Sequence, residues 1–347
     1  MKKILSIIIP TYNMEKYLRK CLSSLLIGDL LKLIDVIVVN DGSKDSSLEI
    51  ARGFEAEYPD VFNVVDKSNG NYGSCVNRGL KEARGKYVKI LDADDSYDTA
   101  EFAKLVERLL ELDVDLCLTD YVIVNEKGER TSSHKRGVME EGTVYRAEDF
   151  LSRCLDDLIK MHEIVYRTQM LRDMNYSQTE GIAFTDTEWA LLPMERVEKA
   201  CYLELCVYKY LVGREGQTVD PKRAVSLHSQ GMKTLFRQIS EFSNMSELSA
   251  EKKQYMTQFL LCNIRYTYRT YLVTSCKYFS NDSLRDFDKR LRDASIELYN
   301  LMDNVTVQPS IPIYFVREWR KDKSVTPLSV RFYRTVIFPL LRLMGKS

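Results

Sequence analysis

Asp92-Ala93-Asp94-Asp95 places three carboxylates within four residues, directly after the apolar run 87–91. Carboxylates this close repel one another, and a divalent cation makes such crowding tolerable. Hard oxygen ligands on a loop suit Mg²⁺ or Mn²⁺, with phosphate and water completing the shell. The same run also reads as a solvated acidic turn before a helix, although Asp98 and Thr99 already offer capping chemistry there. A second cluster, Asn40-Asp41-Gly42-Ser43, combines a carboxylate, a glycine that permits close backbone approach, and a hydroxyl. Asp41 could accept a hydrogen bond from a nucleobase N–H. Taken singly, the segment is better explained as a strand-to-helix turn, and so is Pro10-Thr11-Tyr12-Asn13.

The surrounding elements give these clusters a common location. Residues 4–9 read as a buried strand stopped by Pro10, 14–27 as a helix, and 34–39 as a β-branched strand. A helix over 45–58, a strand over 61–65, a helix over 74–84 and a strand over 87–91 follow. This alternation predicts an α/β domain with a mainly parallel sheet. Ligands of such sheets bind beyond the carboxyl ends of the strands. The clusters at 10–13, 40–45 and 92–95 all lie at such ends and should converge on one crevice. Further on come a helix (101–112), a strand (115–124), a polar hairpin-like loop (125–130), a helix (147–156) and a strand-like run (201–212).

Composition narrows the field. Lys+Arg and Asp+Glu balance at 50 each, so no global charge points to nucleic acid. The eight cysteines form no C-x-x-C pair and no zinc spacing with histidine. No apolar run approaches the roughly 20 residues of a membrane span, and the N-terminal apolar stretch is too short for a signal sequence. A reduced, cytoplasmic protein is expected. The 347 residues leave room for a catalytic domain and a second element.

Taken together, the segments Ser6-Ile-Ile-Ile-Pro-Thr-Tyr-Asn13, Val38-Val-Asn-Asp-Gly-Ser43, Asn71-Tyr-Gly73, Asn77-Arg-Gly79, Ala83-Arg-Gly-Lys-Tyr87 and Leu91-Asp-Ala-Asp-Asp95 resemble the family-2 glycosyltransferases. Order, spacing and strand context agree over about the first 100 residues, which is more specific than any one motif. The resemblance implies an α/β fold of the A type (GT-A, Rossmann-like), a mainly parallel sheet flanked by helices. It also implies Mn²⁺ or Mg²⁺ as cofactor and inverting transfer from a nucleotide-diphosphate sugar, with UDP the commonest carrier.

Roles carry over residue by residue. Asp41 would bind the nucleotide base, with Pro10, Thr11 and Tyr12 lining its pocket and Asn77 in a further contacting loop. Val76 stands where many members have Arg, which weakens inference from that loop. Asp92 would hold ribose or phosphate through the metal shell, Asp94 would ligate the metal directly, and Asp95 would support it. The catalytic base is expected at Asp186, with Glu188 as the alternative; the same stretch also reads as a helix N-terminus capped by Thr185 or Asp186. Arg214 and Gln217 resemble a loop that folds over the diphosphate, where Arg suits bidentate phosphate contact. His162 and His228 stay outside this set, although some GT-A enzymes recruit a late histidine to the metal.

The expected division is a catalytic domain over 1–225, with a nucleotide-sugar half to about residue 100 and an acceptor half over 101–225. A C-terminal helical appendage over 226–310 and a basic amphipathic tail over 311–347 follow. The tail interleaves Arg317, Arg320, Lys321, Lys323, Arg331, Arg334, Arg342 and Lys346 with Trp319, Phe332, Tyr333, Phe338 and leucines. Such a stretch suits the anionic inner membrane surface, giving a peripheral location at its cytoplasmic face; a helix docked on the protein with a solvated basic face is the other reading. Expected partners are a nucleotide sugar and a glycan or lipid-linked saccharide acceptor in bacterial surface glycan assembly, with no nucleic acid. Two other functions compete. A sugar nucleotidyltransferase would need a Gly-rich basic loop after the first strand, which Pro10-Thr-Tyr-Asn13 lacks. A degenerate binding subunit would have no use for the acidic residues.

Overall fold

Seven consecutive buried residues in each of β1 (Leu5–Thr11) and β2 (Ile34–Asn40) mark strands covered on both faces. The structure, a computed structural model, describes residues 2–214 and 228–343. The remaining strands are β3 (Phe62–Asp66), β4 (Tyr87–Ile90), β5 (Ser96–Tyr97), β6 (Leu116–Val124), β7 (Arg130–His134), β8 (Val144–Arg146), β9 (Ile164–Arg167) and β10 (Lys199–Leu211). They join one sheet in the order β3-β2-β1-β4-β9-β6-β10-β5, with β7 on β6 and β8 on β10. The β3-β2-β1-β4 half is parallel, and so is the long β6–β10 pair. The sheet is mixed because β9 runs antiparallel between β4 and β6. Four residues carry too little periodicity for β9 to stand out in the sequence.

The crossover helices are α1 (Glu15–Ser23), α2 (Ser47–Glu57) and α3 (Asn71–Glu82), with α4 (Thr99–Glu111) following β5. Asp98 caps α4, accepting from the N–H groups of Ala100 and Glu101. Several expected boundaries differ, among them α3, which begins at Asn71 rather than residue 74, and the helix expected over 147–156, which stops at Ser152. The first helix stops at Ser23 and gives way to a 3-10 turn over Gly28–Leu33. The first strand runs through Pro10 to Thr11, with Pro10 in register opposite Val39. Ile8 and Pro10 point toward β4, whose ladder ends at Ile90 opposite Ile8, so the missing proline N–H falls where no partner strand remains.

The core of this half joins Ile7, Ile9, Val36 and Val38 of the sheet to Leu18 and Leu22 of α1 and Phe102, Leu105 and Leu109 of α4. Among the shorter helices, α5 is Ala147–Ser152, α6 is Thr168–Asp173 and α7 is Asp186–Leu191.

The chain divides into two compact units, Met1–Arg223 with Ser249–Lys252, and Ala224–Leu248 with the remainder from Lys253. The second unit is helical, built on His228–Asn244, Ala250–Arg269 and Asn281–Ala294 with shorter helices after them. It takes in the residues expected as the appendage, apart from 249–252, together with those expected as the tail. Among the described residues, no helix is long and apolar enough to cross a membrane.

Candidate active site

Because β1, β2 and β4 are parallel, their carboxyl ends deliver Pro10–Asn13, Asp41 and Asp92 to one edge of the sheet. A cavity of about 580 Å³ opens there, lined by Pro10, Thr11, Tyr12, Asp41, Asn71, Tyr72, Asp92, Met161, His162, Phe184, Asp186, Tyr210 and Arg214. The loops after β1 and β2 are tied together across its rim. The Asn13 N–H donates to Ser43 Oγ at 3.0 Å, the Lys44 N–H donates to Asn13 Oδ1 at 2.7 Å, and the Met14 N–H donates to Ser47 Oγ at 2.7 Å. Asn13 takes a left-handed φ of 54°, which asparagine tolerates better than most residues.

Asp41 is nearly inaccessible and does structural work. Its Oδ1 accepts from Lys67 Nζ at 2.5 Å and the Gly70 N–H at 2.9 Å, and its Oδ2 from the Asn71 N–H at 2.9 Å. The carboxylate therefore caps α3 from the end of β2. The Cys75 thiol also hydrogen-bonds this carboxylate. Tyr12 presents its ring to the same cavity and is 47% exposed.

The acidic run is tightly braced. Tyr72 donates to Asp92 Oδ1 at 2.7 Å, and Tyr208 donates to Asp95 Oδ2 at 2.7 Å while accepting from the Asp92 N–H at 3.2 Å. Asp95 Oδ1 accepts from the Leu211 N–H at 2.7 Å. Arg214 Nε donates to Asp94 Oδ2 at 2.5 Å. One carboxylate oxygen from each of Asp92, Asp94 and Asp95 lies within 4.8 Å of the others. Burial first, then the neighbouring Asp94, raises the Asp92 pKa to about 7, and the same two causes push Asp95 well above the carboxylate range. Anions held together against that cost fit a hard divalent cation. Asp92 lines the cavity and Asp94 is half-buried, whereas Asp95 is buried with both oxygens engaged, which suits bracing rather than open coordination.

The acidic pair of the second half separates into two environments. Asp186, the first residue of α7, is water-accessible yet deep within the cavity walls, and burial raises its pKa. Glu188 is fully buried and does not line the cavity. Its Oε2 accepts from the Thr179 N–H at 2.8 Å and its Oε1 from Thr179 Oγ1 at 2.6 Å. Trp189 packs in the core, edge-on to Tyr166 and Tyr176.

The other expected site residues scatter. Asn77 is absent from the cavity lining: its Nδ2 donates to Gln178 O and Glu180 Oε1, both at 2.9 Å, and its Oδ1 accepts from the Gln178 N–H at 2.7 Å. It joins α3 to the 178–181 segment, which passes so close that a Cβ on Gly73 would meet Thr179 O at 2.1 Å. Gln217 lies outside the described residues. His162 lines the cavity among Tyr121, Tyr208 and Tyr210, and burial, helped by Lys89 and Lys160, lowers its pKa to about 3. His228 belongs to the second unit, where its Nε2 lies 2.9 Å from the Tyr271 hydroxyl.

Sequence reasoning missed Lys67, Tyr72, Tyr208 and Tyr210. Lys67 sits in an unremarkable polar stretch, Tyr72 lies within a quoted motif without a role assigned to it, and strand tyrosines such as Tyr208 and Tyr210 carry no motif of their own. The alternation that points Tyr208 and Tyr210 to one face of β10 was the available signal.

A mixed, mainly parallel sheet with helices on it and an acidic loop at the end of β4 defines a glycosyltransferase fold of the A type. The architecture is similar to that of S. aureus TarS residues 1–349 in complex with UDP-GlcNAc, at a TM-score of 0.69 and 20% identity, covering 99% of this chain and 92% of that one. Residues 6–174 match the model of glycosyl transferase family 2, and the chain belongs to that family. Among relatives, an uncharacterized glycosyltransferase of Escherichia coli K12, YibD, is 31% identical over 67% of this chain and 66% of its own length. Glycosyltransferase GlyA of Streptococcus pneumoniae is 31% identical over 48% of this chain and 22% of its own length. The chain thus spans just under two thirds of the one relative and about a fifth of the other.

Proposed function

We propose that this protein is an inverting, metal-dependent hexosyltransferase that moves a sugar from a UDP-sugar to an acceptor hydroxyl. The observation that carries the reading is that Asp186 lines a single cavity at the strand ends with Asp92, whose carboxylate clusters with those of Asp94 and Asp95. The bound UDP-GlcNAc of TarS supports UDP as the carrier.

Tyr12 stacks on the base and Asp41 accepts its N–H, with Pro10 and Thr11 completing that wall. Asp92 and Asp94 would hold Mn²⁺ or Mg²⁺, and Asp95 would brace them through Tyr208. The cation, when bound, supplies positive charge beside the diphosphate. Arg214 adds a guanidinium to the same oxygens. Asp186 accepts the proton of the acceptor hydroxyl as its oxygen bonds to the anomeric carbon. The bond from that carbon to the diphosphate breaks on the opposite face, and its electron pair leaves with the nucleotide. A carboxylate whose pKa is raised by burial is a stronger base than one in water, which suits this role. The acceptor we infer is a glycan or lipid-linked saccharide of bacterial surface polymer assembly, met at the cytoplasmic face of the membrane.

Calorimetric titration with UDP and GDP, each with and without Mn²⁺, tests the donor half. Binding of UDP that requires Mn²⁺ is expected. Failure of both diphosphates under either condition would replace the reading with a non-catalytic binding subunit.

A further inference from the structure

The last helical stretch of the second unit carries its apolar residues on the wrong side for a soluble protein. From Leu328 to Leu343 the chain is helical without a break, about 24 Å long at 1.5 Å per residue. Its inner face is anchored. Val330 and Tyr333 are buried, the Tyr333 hydroxyl donates to Gln308 Oε1 at 3.0 Å, and Arg334 Nη1 donates to Cys276 Sγ at 3.0 Å.

The outer face holds Leu328, Phe332, Val336 and Leu340, exposed by 80%, 56%, 41% and 55%. These residues recur every fourth position. In a regular α-helix that row drifts around the axis, since four residues exceed one turn of 3.6. Here Tyr333–Ile337 forms a wider π turn, which takes up the drift and keeps the row along one side. Pro339 accounts for the π turn: it has no N–H for the carbonyl of Thr335, and its ring would press on that carbonyl in a regular helix.

Charge on this stretch is of one sign. From Lys323 to the end the sequence holds Lys323, Arg331, Arg334, Arg342 and Lys346, with no Asp or Glu. Arg331 and Arg342 are exposed beside the apolar row. The nearest preceding acids are engaged: Glu318 accepts from Ser329, and Asp322 accepts from the Ser324 N–H at 3.0 Å. An apolar row flanked by arginines matches the boundary between acyl chains and anionic headgroups. Two copies of this chain meeting through the same face would instead bring like charges together.

We propose that Leu328, Phe332, Val336 and Leu340 form a docking surface for an anionic lipid bilayer, with Arg331 and Arg342 at the headgroups. This narrows the membrane location inferred above to one helix face and stands or falls separately from sugar transfer.

The test is co-sedimentation of the full chain with vesicles of phosphatidylcholine alone and of phosphatidylcholine with phosphatidylglycerol. Binding to the anionic vesicles alone, weakened by salt, is expected. The triple substitution L328S/F332S/L340S should lower the bound fraction by about tenfold or more, and R331E/R342E by a similar factor. All three serine sites are exposed, so circular dichroism and the thermal midpoint should stay as in the parent chain. No binding to anionic vesicles at low salt, or equal binding by the triple variant, overturns the proposal. So does a lipid-free dimer, seen by light scattering, that the triple variant dissociates; the face would then belong to a second copy. UDP binding, read in parallel, keeps failure here distinct from failure of the transferase reading.

Discussion

Glu188 holds Thr179 by both its main-chain N–H and its hydroxyl, at 2.8 and 2.6 Å, from a fully buried position. The contact locks α7 to the segment that packs on α3 through Gly73 and Asn77. Asp186 starts α7, so the carboxylate facing the cavity is positioned by one that never enters it. Two acids two residues apart thus divide into a cavity-lining group and a brace, as their opposite helix faces require.

Glu188→Ala should therefore behave as a stability mutation. It removes the carboxylate that the half-buried Thr179 bonds through its N–H and hydroxyl, at a cost of about 1–3 kcal/mol. Glu188→Gln keeps the shape and one good acceptor and should cost about half as much. Urea unfolding reads both. If Glu188→Gln were fully stable yet devoid of transfer, the base would have to be reassigned to Glu188.

Asp186→Asn isolates the other role. The amide cannot accept the hydroxyl proton, so transfer should fall by roughly 10²–10⁴-fold while metal-dependent UDP binding persists. Stability should change little, since the side chain is water-accessible. Single-turnover kinetics beside a binding isotherm distinguishes the outcomes, and wild-type turnover would move the base elsewhere.

Asp94→Asn removes a ligand charge and leaves Arg214 without its carboxylate partner at 2.5 Å. Mn²⁺-dependent UDP binding should weaken by about tenfold or more, with metal-independent binding unchanged. Calorimetry with and without chelator measures both. An unchanged Mn²⁺ dependence would place the cation on other ligands.

Much of the candidate site was legible because its residues sit where parallel strands end, and strand ends are visible as apolar runs stopped by polar clusters. Pro10–Tyr12, Asp41 and Asp92 fall on one cavity for that reason, with Asp94 and Asp95 clustered beside Asp92. Asn77 was misleading: its motif marks the α3 helix, but which way the side chain points depends on the 178–181 segment a hundred residues later. The parts played by Tyr72 and Tyr208 were invisible for a related cause. Their hydrogen bonds to Asp92 and Asp95 arise from contacts across the sheet, which no local spacing encodes. The short β9 strand escaped because four residues carry no period, and its insertion is what makes the sheet mixed.

In the second unit, Asp288 is almost completely buried and accepts from Arg320 at 2.8 Å, Lys323 at 2.6 Å and Tyr268 at 2.6 Å. Burial alone would raise its pKa, but Lys323, Tyr268 and Arg320 outweigh burial and hold it below the usual value. A depressed carboxylate pKa contributes stability that is present above the unfolded value of about 3.9 and lost as pH falls through the folded one. Asp288→Asn should cost about 2–4 kcal/mol at neutral pH, because Arg320 and Lys323 lose their shared anion. The loss should shrink below about pH 4. Chemical unfolding at pH 7 and at pH 3.5 checks the sign; an equal loss at both would mean that the charge of Asp288 is not what stabilises the cluster.

Lys89 shows the opposite linkage. It is fully buried on β4, its Nζ donates to His162 O at 2.6 Å and Ile164 O at 3.2 Å, and burial lowers its pKa to about 7. The unfolded lysine titrates near 10.4, so between about pH 7 and pH 10 the unfolded chain binds more protons than the folded one. Stability in that window must rise with pH, by on the order of a few kcal/mol if the depression is as large as the burial suggests. Lys89→Met removes the titration and keeps the length of the side chain, at the cost of two carbonyl contacts. The gap between wild type and variant, measured by urea unfolding, should widen in favour of wild type from pH 7 to pH 9.5. A gap that stays constant over that range would show that Lys89 remains charged in the fold, with water reaching its Nζ.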